Sequence, residues 1–140
     1  AALTPLVDAL RKTIGDAVRT LRDPTRGGLA SALNEIAAAS HVGIVLHEHA
    51  LPIPAPVAAA CEMLGFDPLY VANEGVLVAF VPEPLCDEAL RALRSHPLGR
   101  AAVRIGRATT QHPGLVVLET GIGGTRVVDM LPGDQLPRIC

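Results

Sequence analysis

The sequence predicts an α/β (α+β) fold in which helices cover one mixed sheet. Two observations predict it: segments with helical spacing alternate with short β-branched runs, and two strand-like runs around a glycine-rich turn finish the domain. The 140 residues are enough for one domain with one core. Because 49% of the residues are hydrophobic but only 2% are aromatic, Ala, Val, Leu and Ile must build that core.

Four segments have the spacing of amphipathic helices. The first begins at Thr4, which can cap a helix, and Pro5, which suits the first helical turn. The fourth ends before Pro97. The predicted helices span residues 4–21, 29–40, 57–64 and 85–93, with a proline-rich connector at 51–56.

Short runs rich in Val and Ile predict the strands. The last two of these runs flank Thr120–Gly124, so they predict a hairpin. Residues 1–130 are then one domain, and the two prolines of residues 131–140 predict a flexible tail. The predicted strands span residues 42–46, 69–71, 76–81, 102–108, 115–118 and 125–128.

Composition excludes several classes of function. The net charge is −2, no long basic run occurs, and Trp is absent, so we expect no nucleic-acid binding. The apolar run at 76–81 is far shorter than the roughly 20 residues of a membrane span, so we expect no membrane partner. No signal peptide is visible. The odd count of cysteines, at Cys61, Cys86 and Cys140, fits reduced thiols in the cytoplasm.

The segment before the second helix can bind an anion. Gly27 and Gly28 let the backbone approach a ligand, and the helix start offers free N–H groups. Arg26 matches phosphate, Asp23 can hold Arg26 or a metal ion beside a phosphate, and Thr25 can cap the helix or bind the anion. A plain helix start with a cap and a tight turn is the alternative, and composition leaves both open.

A second polar segment, Ala72-Asn73-Glu74-Gly75, lies between two predicted strands. The carboxylate of Glu74 and the amide of Asn73 suit acid–base chemistry or ligand binding at a strand end. An ordinary hairpin turn is the alternative, because Asn and Gly are turn formers.

Three further features receive structural interpretations. His47-Glu48-His49 is interpreted as a solvated strand end, since two histidines are too few for a closed zinc site. Residues 121–124 lack the strand–loop–helix context of a nucleotide loop and are interpreted as a turn. Cys61 and Cys86 are interpreted as small buried residues.

Cys140 stands last, behind Pro137. An exposed thiol on a tether can be loaded, altered and handed on, because the thiolate is nucleophilic. From Leu131 the tail reaches about 30 Å when extended, at roughly 3.3 Å per residue. A frayed end without function is the alternative.

Taken together, four segments resemble the HypE family of hydrogenase maturation factors. The resemblance covers nearly the whole chain, but only the carboxy-terminal domain of that family. The first motif alone indicates the wider superfamily of aminoimidazole ribonucleotide synthetase, selenophosphate synthetase and thiamin-phosphate kinase, and the terminal Cys singles out HypE. The segments are Asp23–Ala30, Leu33–Ala37, Ala72–Gly75 and Pro137–Cys140.

The resemblance implies an ATP-dependent carbamoyl dehydratase. HypF places a carbamoyl group on the terminal Cys, ATP drives its dehydration to a thiocyanate, and the cyanide passes to iron on the HypC–HypD complex for the [NiFe] site. In that family an amino-terminal domain, absent from this chain, binds most of the ATP and Mg²⁺ and forms a homodimer. A start at Ala1 fits a segment that precedes this chain, and removal of a Met before Ala is the alternative. The domain alone is therefore expected to be inactive.

The resemblance also implies roles for the residues singled out. Cys140 is the carrier, Glu74 is the candidate proton acceptor, and Arg26 contacts phosphate with the Gly27–Gly28 turn. The same ATP-binding set includes Asp23, Thr25 and Asn73, and no metal ligand is assigned to this chain. Two alternatives stay open: an ATP-dependent small-molecule synthetase or kinase of the superfamily, and a non-catalytic docking domain.

Overall fold

The computed structural model describes residues 4–18, 20–22, 28–70 and 77–129. The chain divides into two compact units, one formed by Ala1–Asp23 and Glu74–Arg104, the other by Pro24–Asn73 and Ile105–Cys140. The helices are α1 (Thr4–Ile14), α2 (Gly28–Ser40), α3 (Ala55–Leu64) and α4 (Cys86–Arg94). The strands are β1 (Thr20–Arg22), β2 (Gly43–His47), β3 (Val78–Phe80), β4 (Gly106–Thr109), β5 (Val116–Glu119) and β6 (Thr125–Val127).

In the first unit, α1 packs against α4, and β1 pairs antiparallel with β3. Leu10, Ile14 and Ala89 form its buried core. The first predicted helix is wrong beyond Ile14, because Gly15 adopts a φ of +58°, which ends the helix, and Thr20–Arg22 join a strand.

The second unit holds a four-stranded sheet in the order β4-β2-β5-β6. The β2–β5 pair is parallel and the other two pairs are antiparallel, so the sheet is mixed, as predicted. Helix α2, whose apolar residues recur at helical spacing, packs on β2 and β5. Residues 43–46 of β2 are buried throughout, whereas buried and half-buried residues alternate along β5. The largest buried side chains of this core are Leu33, Leu46, Val116, Leu118 and Val128.

Two strand predictions need correction where the structure describes them: residues 69–70 are not a strand, and the strand predicted at 102–108 is present but begins four residues later. Leu69 and Tyr70 lie in a 3-10 turn, Pro68–Tyr70, because Asp67 Oδ1 accepts a hydrogen bond from Leu69 N at 3.0 Å. Ala102 lies in a turn rather than a strand, since its N–H donates to Gly99 O at 3.0 Å. The strand begins instead at Gly106, where a Cβ would overlap the carbonyl of Val45.

The other described elements confirm the sequence predictions to within a few residues. These are α2, α3, α4, β2 and the β5–β6 hairpin. The predicted tail, residues 131–140, lies outside the described residues and stays a prediction. None of the described helices is long and apolar enough to cross a membrane.

Candidate functional site

Of the residues predicted to form the site, the structure describes Gly28. It is buried, begins α2, and has a φ of +65°, a conformation that side chains with a Cβ disfavour. The backbone therefore favours a glycine where the chain turns into α2. The other predicted residues lie outside the described part of the chain: Asp23, Thr25, Arg26, Gly27, Asn73, Glu74 and Cys140.

Helix α2 positions a side chain to which sequence reasoning assigned no role. The amide of Asn34 donates to Ala30 O at 2.8 Å and to Val128 O at 2.9 Å. Both N–H groups of the amide are thus used, one within the helix and one on the chain that follows β6. A polar residue between buried Leu33 and Ile36 was the signal that could have found it.

A second contact to the same stretch comes from the turn after α3. Tyr70 Oη donates to Asp129 O at 2.7 Å, and Arg126 Nη2 donates to Asp67 Oδ2 at 2.9 Å. Together with Asn34, these residues hold Arg126–Asp129, and we call this set of contacts the tail anchor. Asp129 is the last residue that the structure describes before residues 130–140.

The chemistry of the anchor keeps Tyr70 a hydrogen-bond donor. Burial raises the pKa of the Tyr70 phenol, and the negative charges of Asp67 and Asp129 raise it further. Arg126 and the hydrogen bond to Asp129 act in the opposite direction without reversing the shift. The phenol therefore stays protonated throughout the physiological range.

On the sheet, His47, Arg107 and Glu119 form a polar cluster. His47 Nδ1 lies 3.7 Å from Glu119 Oε2, and Arg107 Nη2 lies 3.6 Å from Glu119 Oε1. All three side chains are more than a third exposed, so these ion pairs contribute little stability. Among the described residues, no group of three or more His, Cys, Asp or Glu side chains could hold a metal ion.

The structure tests the interpretations of His47–His49, residues 121–124 and the two cysteines Cys61 and Cys86. β2 ends at His47, and Glu48–Ala50 form a 3-10 turn, which confirms a strand end. Residues 121–124 form a turn, with Gly123 at a φ of +88°. Cys61 is buried as predicted, whereas Cys86, the first residue of α4, is only half-buried.

Comparison with known proteins identifies the family to which the sequence is similar. The family described as AIR synthase related protein, C-terminal domain, matches residues 1–118. Carbamoyl dehydratase HypE of Cupriavidus necator is 55% identical over 140 residues, which are 100% of this chain and 40% of that protein. Carbamoyl dehydratase HypE of Bradyrhizobium diazoefficiens is 52% identical over the same coverage. The chain thus spans 40% of the length of these curated relatives.

Solved structures agree with the sequence relatives. A crystal structure of hydrogenase maturation protein HypE has a TM-score of 0.91 at 45% identity, covering 100% of this chain and 45% of that one. HypE in a HypE–HypF complex has a TM-score of 0.87 at 41% identity, covering 92% and 41%. HypE in complex with ATP has a TM-score of 0.83 at 43% identity, covering 95% and 42%. The predicted fold class is confirmed, and so is the resemblance found in the motifs.

Proposed function

Because the chain belongs to the AIR synthase related protein C-terminal domain family, we propose that it is the carboxy-terminal domain of a carbamoyl dehydratase that serves [NiFe] hydrogenase maturation. The observation that carries the proposal is the similarity to HypE along the entire chain, at 55% identity over 140 residues.

The proposed reaction takes place on Cys140. The S-carboxamide Cys140–S–CO–NH₂ reacts with ATP to give Cys140–S–C≡N, ADP and inorganic phosphate. The amide oxygen leaves with the phosphoryl group, since an amide oxygen is a poor leaving group until it is phosphorylated. Of the two N–H protons, one ends on phosphate and one in solvent, and Glu74 is the proposed acceptor.

The proposed arm is residues 130–140, which carry Cys140. Two described residues, Tyr70 of the tail anchor and Gly28 at the start of α2, lie near the two polar motifs in sequence. Glu74 is four residues from Tyr70, so the two Cα atoms lie at most about 15 Å apart at 3.8 Å per residue. Arg26 is two residues from Gly28, where α2 begins, which limits that separation to about 8 Å. Because the predicted arm spans about 30 Å or more, it can reach either motif without opening the anchor.

The remaining parts of the proposal concern the protein as a whole. We propose that ATP, with Mg²⁺, is held mostly by an amino-terminal domain and that phosphate is contacted by Arg26, Gly27 and Gly28, with Asp23, Thr25 and Asn73 beside them. The solved HypE–HypF and HypE–ATP complexes support HypF and ATP as ligands. Transfer to HypC–HypD, a homodimer and a cytoplasmic location complete the proposal.

The proposal is tested by mass spectrometry of the full-length protein. After incubation with HypF and a carbamoyl donor we expect a carbamoyl adduct on Cys140, and ATP should convert it to a species lighter by one water. Cys140→Ala should abolish both adducts, whereas the matched control Cys86→Ala should keep them, because the half-buried thiol of Cys86 belongs to α4.

Two outcomes would overturn the proposal. One is the absence of any adduct on Cys140 in the wild-type protein. The other is unchanged ATP-dependent product formation after deletion of residues 136–140, which favours a small-molecule synthetase or kinase of the same family. The 140-residue domain alone should show no ATP turnover.

A further inference from the structure

We infer that the end of α4 and the turns that follow it form a docking surface for an acidic protein partner. This surface is residues 91–104 of the first unit, which the proposed reaction does not use, and we call it the basic segment. It combines exposed apolar side chains with a concentration of positive charge. The inference rests on the proposed function for the partners with which it is tested.

The charge of the basic segment is opposite in sign to that of the protein. The whole chain has a formal net charge of −2, yet residues 89–118 contain no Asp or Glu. A local positive field on a net negative protein attracts a negatively charged partner and orients it. Four of the chain's 12 Lys and Arg residues fall within the basic segment, namely Arg91, Arg94, Arg100 and Arg104.

Most of this charge is not neutralised by the described residues. Arg104 Nη2 lies 3.1 Å from Glu83 Oε1, and both side chains are more than a third exposed. In the described part of the chain, no ion pair joins Arg91, Arg94 or Arg100 to a carboxylate. Arg91 and Arg94 stand in the last turn of α4, where positive charge also suits the helix dipole. Arg100 and Arg104 lie beyond the helix, so the dipole does not account for them.

Two apolar side chains lie exposed within this arginine-rich segment. Leu98 is 53% exposed and Val103 is 42% exposed. Protein interfaces commonly have an apolar centre inside a polar rim, and Arg is enriched in them. A nucleic acid would use the arginines, but aliphatic side chains provide no stacking surface for its bases. The combination therefore favours a protein partner with acidic residues around an apolar pocket.

The backbone of the first turn after α4 fixes the position of Leu98. Leu98 N donates to His96 Nδ1 at 3.1 Å, and Gly99 N donates to His96 O at 2.9 Å. A Cβ on Gly99 would overlap the carbonyl of Leu93, so the turn packs directly against the end of α4. An apolar side chain presented on a fixed turn costs little conformational entropy when a partner binds it.

A further pair of contacts joins the two halves of the basic segment. Arg94 Nε donates to Ala102 O at 2.9 Å, and Ala102 N donates to Gly99 O at 3.0 Å. Residues 100–104 are thereby held beside the last turn of α4, which also carries Arg91. The four arginines therefore lie near one end of the helix rather than on separate parts of the surface.

The test measures the affinity of the full-length protein for HypF and for the HypC–HypD complex by surface plasmon resonance. Leu98→Asp should weaken binding of at least one of them about 30-fold, which corresponds to about 2 kcal/mol. Leu98→Ala adds no charge and should weaken the same complex about tenfold. Arg91→Glu combined with Arg100→Glu should weaken it about tenfold at low salt, mainly by slowing association, and the effect should shrink as salt rises.

Two matched controls make the same kinds of change elsewhere. Ile122→Asp places a carboxylate on a residue of the second unit that is 97% exposed, and Arg11→Glu reverses an exposed charge on α1. Both variants should bind each partner as the wild-type protein does. The melting temperatures of all variants are measured alongside, and because the substituted residues are exposed we expect them to stay close to that of the wild type.

Three outcomes overturn the inference. The first is an affinity for both partners that is the same in Leu98→Asp and Leu98→Ala as in the wild type. The second is a loss in Ile122→Asp as large as that in Leu98→Asp. The third is binding of a single-stranded RNA oligonucleotide that the arginine double variant loses and Leu98→Asp keeps, which would make the segment a polyanion site. If the wild-type protein binds neither HypF nor HypC–HypD, the proposed function itself fails and the inference fails with it.

Discussion

Two helices of the second unit, α2 and α3, have similar compositions but differ in how many of their residues are buried. Both α2 and α3 are rich in Ala and apolar along most of their length. Helix α2 buries six residues, whereas α3 buries only Cys61. Both helices pack on the Pro68–Tyr70 turn, but α2 also packs on β2 and β5. Apolar content alone therefore does not determine burial, and a sheet to pack against does.

The two helices can also be compared by the backbone conformation of the residue that follows each of them. Each helix closes with a residue in the left-handed conformation, which is Gly65 at a φ of +73° after α3 and His41 at a φ of +54° after α2. The N–H of the following residue returns to the helix in both cases, from Phe66 to Cys61 O at 2.8 Å and from Val42 to Ala37 O at 3.1 Å. The turns share a geometry, but only one of them uses the residue best suited to it.

The largest effect should come from matched leucine truncations. Leu33 of α2 is 1% exposed and Leu64 of α3 is 66% exposed. Leu33→Ala should lower the free energy of unfolding by about 2–5 kcal/mol, and Leu64→Ala by less than about 0.5 kcal/mol. Urea unfolding followed by circular dichroism checks both. Equal losses would show that α3 is covered as fully as α2.

The next effect concerns the polar residue of α2. Asn34→Ala should lower the free energy of unfolding by about 1–3 kcal/mol, because the carbonyl of Val128 loses the donor at 2.9 Å. Thr13→Ala is a suitable control, since the exposed Thr13 hydroxyl donates to Ala9 O within its own helix, α1. A loss no larger than that of the control would mean that the link from α2 to Val128 adds no stability.

Substitutions of the two residues at positive φ, Gly65 after α3 and His41 after α2, should shift stability in opposite directions. Gly65→Ala should destabilise the protein by about 1 kcal/mol, because Ala disfavours a positive φ. His41→Gly should stabilise it by about 0.5–1 kcal/mol for the same reason. Thermal unfolding of the two variants measures these opposite shifts. Shifts of the same sign would contradict the account of how the helices end.

The smallest effect tests the turn that lies against both helices. The pKa of Tyr70 is raised above its ordinary value of 10.0, so the folded state holds the phenolic proton more tightly. The corresponding stabilisation is fully present below that value and disappears as the pH rises through the folded pKa. Tyr70→Phe should lack this alkaline dependence. Because Tyr70 is the single tyrosine and Trp is absent, tyrosinate absorbance of the 140-residue chain reports this group alone.

Local chemistry made much of the fold predictable. Apolar spacing gave α2 and α4, the β-branched run gave β2, and glycines between two apolar runs gave the β5–β6 hairpin. The errors arose where one residue overrode the pattern around it. Gly15 ended α1 within an apolar stripe, and Asp67 bent a strand-like segment into a turn.

Some features of the candidate site could likewise be predicted from the sequence, and others could not. The motifs at 23–28 and 72–75 and the terminal Cys140 were visible as residue types suited to phosphate, proton transfer and carriage. The tail anchor was not, because its donors and acceptors are far apart in the chain: Asn34 and Val128 are separated by 94 residues, and Tyr70 and Asp129 by 59. No local pattern indicates such a pairing.

The sequence by itself therefore determined the class of fold, most of its elements and the family, since these depend on spacing and residue type along the chain. Only the tertiary structure decided which apolar helix is buried, which strands pair, and where the chain is fastened ahead of Cys140. Those outcomes depend on contacts between residues distant in sequence, and their free energy exists only once the backbone has brought the partners together.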